Sequence, residues 1–330
     1  MTGSDMGSRD RFGPQAMSAV SVEHLTKAFG QFAAVDDVSF EVPEGQLVAV
    51  LGPNGAGKTT ILEMLEGFLA PTAGTIRVLG ADPRHGGRSW RARVGLVLQS
   101  TSLDPELTAR DTLGLYAPLY PRPWRVDEIL ELVDLTADAG TRVGALSGGQ
   151  RRRVDLAVGM IGRPDILFLD EPTTGLDPEA RRRTWAAVED LTSTGTTVML
   201  TTHYIDEADH LADRVIVLSG GRIVTDTTPR QLRAQGGPAT IRCPLTDLAA
   251  AADLPAALAG SFDQASHTLV ASSTNMTATL SELAGWAERH HLDLAGLEIG
   301  PPTLEDAYLA AIGEPLTPEV PAPCLTHPAP

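Results

Sequence analysis

Cysteine is nearly absent from this chain: among 330 residues there are two, Cys243 and Cys324. So few thiols argue against a disulfide-stapled scaffold, and both are expected to be free in a reducing compartment. Long apolar runs are missing as well. No stretch approaches the roughly 18 consecutive apolar residues that a membrane-spanning helix requires. Basic side chains are outnumbered by acidic ones, giving a net charge of −16. That balance opposes any sequence-independent attraction to phosphate backbones, so no nucleic-acid partner is expected. The opening residues mix Gly, Ser, Asp and Arg without an apolar centre, so residues 1–19 read as a flexible leader and not as a secretory signal.

The chain has the alternation of an α/β domain with a largely parallel sheet. Short apolar runs rich in β-branched residues, Leu47 to Leu51, Val94 to Leu98, Ile166 to Asp170, Thr197 to Thr201 and Val215 to Leu218, are expected strands. Helices are expected over Gly57 to Gly67, Pro178 to Ser193 and Tyr204 to Ala212, each entered from a turn containing Gly, Pro or His. Residues 110–162, including a helix over Arg125 to Leu135, form a helical insert between the second and third strands. The sheet pattern stops near Val224, a short helix follows over Pro229 to Gln235, and Gly236-Gly237-Pro238 breaks the chain. A large domain is therefore expected over 20–237. A small α+β module over 238–312 follows, with strands at Thr240 to Cys243, Thr268 to Ala271 and Leu294 to Ile299 and helices at Met276 to His290 and Thr303 to Ile312. Residues 313–330 read as a Pro-rich disordered tail.

The run Gly52-Pro53-Asn54-Gly55-Ala56-Gly57-Lys58-Thr59 follows a strand and opens a helix, the setting a phosphate-binding loop needs. Glycines let backbone N–H groups turn toward phosphate oxygens, and the helix start adds a favourable dipole. Lys58 would reach the β- and γ-phosphates and the Thr59 hydroxyl would ligate Mg²⁺, with Thr60 next to it on the helix. Further along, Ile166 to Leu169 is an apolar strand ending in Asp170 and Glu171, and a parallel sheet places ligands beyond such ends. Asp170 would hold Mg²⁺ directly or through water. Glu171 points elsewhere and can polarise an attacking water as a general base.

Leu146-Ser147-Gly148-Gly149-Gln150 resembles the signature sequence of the ABC ATPases, and it precedes Asp170 in the order that family uses. The resemblance implies a P-loop NTPase nucleotide-binding domain with a helical subdomain, binding ATP and Mg²⁺. In that family the signature of one subunit completes the ATP site of another, so Ser147, Gly148, Gly149 and Gln150 imply a second copy of the chain. Other positions are similar to the family in order. Gln99 resembles the glutamine that joins Mg²⁺ and the attacking water to the membrane partner. Asp177, in Gly175-Leu176-Asp177-Pro178, resembles the loop that touches the opposite subunit, and His203 resembles the histidine that contacts the γ-phosphate. Phe29 stands where the family stacks an aromatic ring on adenine.

Other features take plainer readings. Arg151-Arg152-Arg153 and Arg181-Arg182-Arg183 read as solvated helix faces, His290-His291 lacks the spaced partners of a metal site, and Trp124 reads as a packing anchor. Pro301-Pro302-Thr303-Leu304-Glu305-Asp306-Ala307-Tyr308-Leu309 is similar to the ending of ATP-binding subunits of daunorubicin-resistance-type exporters. That branch implies a peripheral ATPase on the cytoplasmic face of the membrane, powering drug export through a separate ABC-2-type permease. The competing class is a non-transport ABC ATPase of DNA repair or the ribosome. Against it stand the single cassette, the acidic balance and the compact insert.

Overall fold

In a computed structural model the protein is described at residues 18–99, 103–235, 239–245, 254–255, 258, 262–263, 267–273, 275–300 and 303–313. Of the expected leader only residues 1–17 lie outside these residues, since Ser18 and Ala19 already belong to the first strand, with Ala19 buried; the expected tail beyond Gly313, with Cys324, and Pro301 and Pro302 of the exporter-like ending lie outside as well. The chain divides into two compact units, Met1–Thr228 and Pro229–Pro330.

The first unit is built on two sheets. Strands β1 (Ser18–Phe29), β2 (Phe32–Pro43) and β4 (Ala73–Val78) form an antiparallel sheet in the order β2-β1-β4. A six-stranded sheet runs β5-β6-β7-β3-β8-β9, from β3 (Leu47–Leu51), β5 (Val94–Val97), β6 (Ile166–Asp170), β7 (Thr197–Thr202), β8 (Arg214–Ser219) and β9 (Arg222–Thr227). Its first five strands are parallel and β9 returns antiparallel. The three central strands β3, β6 and β7 are buried at every position, as expected for a sheet covered on both faces. The antiparallel sheet and helix α1 (Lys58–Leu65) close one core, with Val20, Leu25, Val38, Val50, Leu62 and Phe168 in one cluster.

The helical insert holds α3 (Ala109–Tyr116), α4 (Val126–Leu132) and α5 (Gly148–Met160), which pack on one another, following the short α2 (Arg88–Arg91). α5 also lies against β5 at a distance only glycine allows. A Cβ on Gly95 would meet the Gly159 carbonyl oxygen at 2.3 Å, and one on Gly159 would meet Val97 Cγ2 at 2.7 Å. The helix that begins with the signature is thus seated on the strand that leads to Gln99. Helices α6 (Pro178–Ser193) and α7 (Ile205–Leu211) follow β6 and β7. Trp124 anchors the insert as expected: its backbone N–H donates to the Ile161 carbonyl at 2.8 Å, and the Arg163 guanidinium stacks 3.9 Å from its ring centre.

The second unit begins with α8 (Pro229–Gln235), which falls on the C-terminal side of the division and not with the first domain as its sequence suggested. Its sheet is antiparallel, in the order β11-β12-β10-β13, from β10 (Ala239–Pro244), β11 (Phe262–Asp263), β12 (Thr268–Ser273) and β13 (Glu298–Gly300). The strand expected from Leu294 pairs only at Glu298–Gly300, because Gly296 turns the chain at φ 83° just before it. Among the described residues, helices Met276–Arg289 and Leu304–Ile312 also belong to the unit, and Cys243 lies reduced in its core beside Leu269 and Trp286.

Candidate functional site

The phosphate loop takes its shape from two glycines with left-handed backbone, Gly55 at φ 81° and Gly57 at φ 101°. At Gly57 a side chain would also strike the Ala34 carbonyl oxygen at 2.4 Å, so no other residue fits. The turn aims α1 so that Lys58 folds back into the loop, where its ammonium donates to the carbonyls of Gly52 at 2.8 Å and Pro53 at 3.2 Å. Burial lowers the lysine pKa, and the nearby Glu171 and Asp170 carboxylates oppose that shift.

An open cleft of about 370 Å³ lies over this loop. It is lined by Asn54, Gly55, Gly57, Lys58, Thr59 and Thr60, by Gln99 and Glu171, and by Phe29, Phe32 and Ala34. Gly52 and Ala56, both buried, and Pro53, which is exposed, do not line the cleft. Asp170, buried at the end of β6, accepts hydrogen bonds from the hydroxyls of Thr201 and, at 3.4 Å, Thr59. The next residue, Glu171, has a left-handed backbone at φ 45°, uncommon for a residue with a Cβ. Its N–H donates to the Thr201 carbonyl at 3.1 Å and to the Thr201 hydroxyl at 3.2 Å. That twist sends the Glu171 side chain away from Asp170. Its carboxylate accepts from Thr174 at 3.1 Å and Gln99 at 3.4 Å, and lies 3.2 Å from His203 Nδ1.

Phe29 and Phe32 pair across the two-residue turn joining β1 and β2, and both are exposed, at 52% and 63%. Phe29 is therefore not a core residue of the first sheet. The Lys27 ammonium sits 5.0 Å from its ring centre.

The signature residues do not line this cleft. Ser147 instead caps α5: its hydroxyl oxygen accepts the Gln150 N–H at 3.2 Å, while the Gln150 side chain accepts the Ser147 N–H at 2.8 Å. The Gln150 amide also donates to Asp138 at 2.8 Å, so this side chain is committed to the helix start. Asp177 likewise lies outside the cleft and caps α6. Its carboxylate accepts the N–H groups of Ala180 at 2.8 Å and Glu179 at 3.0 Å, which hold it below the usual carboxylate range.

Residues 35–174 match the family model described as ABC transporter, and residues 239–303 match the C-terminal domain of ABC transporter domain-containing proteins. The chain is 39% identical to the daunorubicin resistance ATP-binding protein DrrA3 of Streptomyces coeruleorubidus, over 91% of this chain and 97% of the relative. It is 37% identical to the Nod factor export ATP-binding protein I of Ralstonia nicotianae, over 89% and 94%. Among solved structures it is similar to an ATP-binding subunit of an ABC transporter, with a TM-score of 0.60 and 26% identity over 66% of this chain and 92% of that one. The chain belongs to the ABC transporter family. It is an ATP-binding subunit and an ATP hydrolase, with the P-loop fold of that family.

Two arginines of this cassette escape the reading of Arg151-Arg152-Arg153 as a solvated face. Only Arg151 is exposed; Arg152 and Arg153 are buried. Arg153 donates to the Val133 carbonyl at 3.0 Å and to the Asp134 side chain at 3.1 Å, tying α5 to the end of α4. Arg152 reaches the backbone beneath the cleft. Helical spacing carried the signal, since both fall on the stripe of Gly149, Leu156, Gly159 and Met160. Phe32 was also missed, although its place opposite Phe29 across a two-residue turn could have found it. In the second arginine run Arg182 and Arg183 are exposed, but Arg181 is half-buried over the Tyr204 ring, 4.4 Å from its centre.

Proposed function

We propose that this cassette energises a small-molecule exporter. Two copies enclose two ATP molecules, each gripped by Lys58 of one copy and Ser147 of the other, and a separate ABC-2-type permease on the membrane carries the substrate. The observation that supports this most is that one chain presents two phosphate-directed elements that do not meet: the cleft over Lys58, and the helix start at Ser147 outside it. A lone chain uses each only by half. One solved relative in fold, 27% identical with a TM-score of 0.57 over 63% of this chain and 98% of that one, is a dimeric ATP-binding cassette in a post-hydrolysis state bound to ADP and phosphate. The curated relatives are subunits of drug resistance and of Nod factor export. No helix among the described residues is long and apolar enough to cross a membrane.

The oxygen donors around the loop suit Mg²⁺. The Thr59 hydroxyl and the Asp170 carboxylate are 3.4 Å apart, and the Gln99 amide is turned toward the same cleft. Bound with ATP, the ion would neutralise charge on the β- and γ-phosphates. Glu171 takes the proton of a water that attacks the γ-phosphorus, the bond to the β-phosphate oxygen breaks, and ADP and inorganic phosphate leave. Gln99 and His203, both in reach of Glu171, orient that carboxylate, and His203 steadies charge on the γ-phosphate. Phe29 and Phe32 offer ring faces to adenine with no base-edge contacts. Asp177, capping α6 at the surface, is the contact across the dimer. The C-terminal unit is an accessory domain.

Purifying the tagged full-length chain from detergent-extracted membranes tests the exporter reading. A six-helix membrane protein is expected to co-purify, and vesicles holding both are expected to move an aromatic drug in an ATP-dependent way that Glu171→Gln abolishes. Recovery with ribosomes or DNA, and with no membrane protein, would overturn it.

A further inference from the structure

Arg152 is placed where three parts of the catalytic machinery converge. It lies five residues after Ser147 on α5, about 7.5 Å along the helix axis. Its guanidinium is spread over backbone carbonyls of two other segments. Nε donates to Pro172 at 2.8 Å, one terminal nitrogen to Leu98 at 2.5 Å, and the other to Asp170 at 2.9 Å and Glu171 at 3.3 Å. Burial lowers its pKa, and the carboxylates of Asp155, Asp170 and Glu207 oppose that shift. Such a fan of donors in one plane is a geometry that guanidinium supplies and ammonium does not.

The carbonyls it holds are the ones that matter for the hydrolytic water. Leu98 is the residue before Gln99, and Glu171 carries the carboxylate that Gln99 touches at 3.4 Å. The left-handed peptide of Glu171 is held from both sides, by Thr201 at its N–H and by Arg152 at its carbonyl. Conformations of that kind persist only where the surroundings over-determine them. A shift of α5 therefore moves Arg152 and, through it, both Gln99 and Glu171.

We propose that Arg152 is a positioning residue that couples the signature segment to Glu171 and Gln99 of its own chain. This rests on the two-copy reading above. Because the signature of one copy grips the ATP of the other, phosphate engaged at Ser147 in one site sets the carboxylate geometry in the second site. Arg152 touches neither nucleotide nor water. It transmits occupancy between the two sites by way of α5.

Mixed dimers of full-length chains, assembled with two affinity tags, test this. In the first, one chain carries Arg152→Lys and its partner carries Glu171→Gln, so the remaining Glu171 shares a chain with the altered arginine. In the second, both substitutions sit in one chain and the other is unaltered. The first dimer is expected to hydrolyse ATP roughly 10- to 100-fold more slowly than the second, the size of a misplaced catalytic group. ATP affinity should stay within about twofold of wild type in each, and the Hill coefficient of the Arg152→Lys homodimer should fall from near 2 toward about 1. Equal rates in the two mixed dimers would overturn the coupling, as would a slow second dimer, which would show that Arg152 only shapes the signature for its partner. Arg152→Gln run in the same pairs, with ATP affinity and a thermal melt for each chain, separates these outcomes from misfolding. If Glu171→Gln chains do not dimerise with ATP at all, the two-copy reading fails first and the coupling with it.

Discussion

His203 Nδ1 lies 3.2 Å from Glu171 Oε1, while the other carboxylate oxygen of Glu171 accepts from Thr174 and Gln99. Glu171 is thereby held by three side chains drawn from the ends of β5, β6 and β7. Its position over the cleft is fixed by the parallel sheet and not by a single loop.

Replacing this carboxylate should remove the chemistry and leave binding intact. Glu171→Gln keeps the shape and loses the base, so ATP turnover is expected to fall by roughly 10²- to 10⁴-fold. ATP affinity should be retained, with an ATP-dependent dimer trapped on size-exclusion chromatography. Wild-type turnover in the variant would remove Glu171 from the role of base.

The paired rings at the mouth of the cleft predict a loss of affinity without a change of base preference. Stacking on an aromatic face contributes about 1–3 kcal/mol per base, so Phe29→Ala should weaken ATP binding at least several-fold and Phe29→Ala with Phe32→Ala further. The ATP-to-GTP affinity ratio should stay nearly constant, because stacking does not read base edges. Fluorescent-nucleotide competition measures both quantities. A double variant as tight as wild type would place adenine elsewhere.

Glu66, at the end of α1, predicts a pH dependence of stability. Burial first, then the charges of Asp170 and Glu63, push its carboxyl from 4.5 up to about 8, and its Oε1 is buried without a hydrogen-bond partner. Between these values the folded chain binds more protons than the unfolded chain. Stability from this group is therefore complete below the lower value, declines as pH rises through the window, and is lost above the upper one. The effect is on the order of a few kcal/mol. Glu66→Gln should melt higher than wild type near pH 8 in nucleotide-free protein, with the difference shrinking toward about pH 5. Parallel pH profiles of the two melts would contradict it.

Contact between α5 and β5 predicts a steric penalty. Gly95→Ala places a Cβ 2.3 Å from the Gly159 carbonyl oxygen, and backbone must move to relieve it. A cost of about 1–3 kcal/mol is expected, seen as a melting temperature lowered by several degrees. Hydrolysis should suffer too, because the same movement displaces Arg152. An unshifted melt would show that strand and helix separate freely.

The parts of this cassette legible in sequence are those whose chemistry is local. The phosphate loop, the strand ending in Asp170 and Glu171, and the helix opened by Pro178 each carry their signal within about ten contiguous residues, and Leu47–Leu51, Ile166–Asp170 and Pro178–Ser193 appear with the expected bounds. What was not legible depends on neighbours far along the chain. Arg152 looks like any surface arginine until the carbonyls of Leu98 and Pro172 arrive from two other segments. The placement of α8 depends on the unit it packs with, which its own residues do not state.

The cap at Ser147 bears on how this position tolerates exchange. Its oxygen already receives the Gln150 N–H, and toward an anionic phosphate the hydroxyl has its proton to offer. Alanine would therefore fray the first turn of α5 as well as delete a donor, and an assay of that variant would mix two defects. Threonine keeps both capacities, which makes it the exchange that isolates crowding by one methyl group from loss of the interaction.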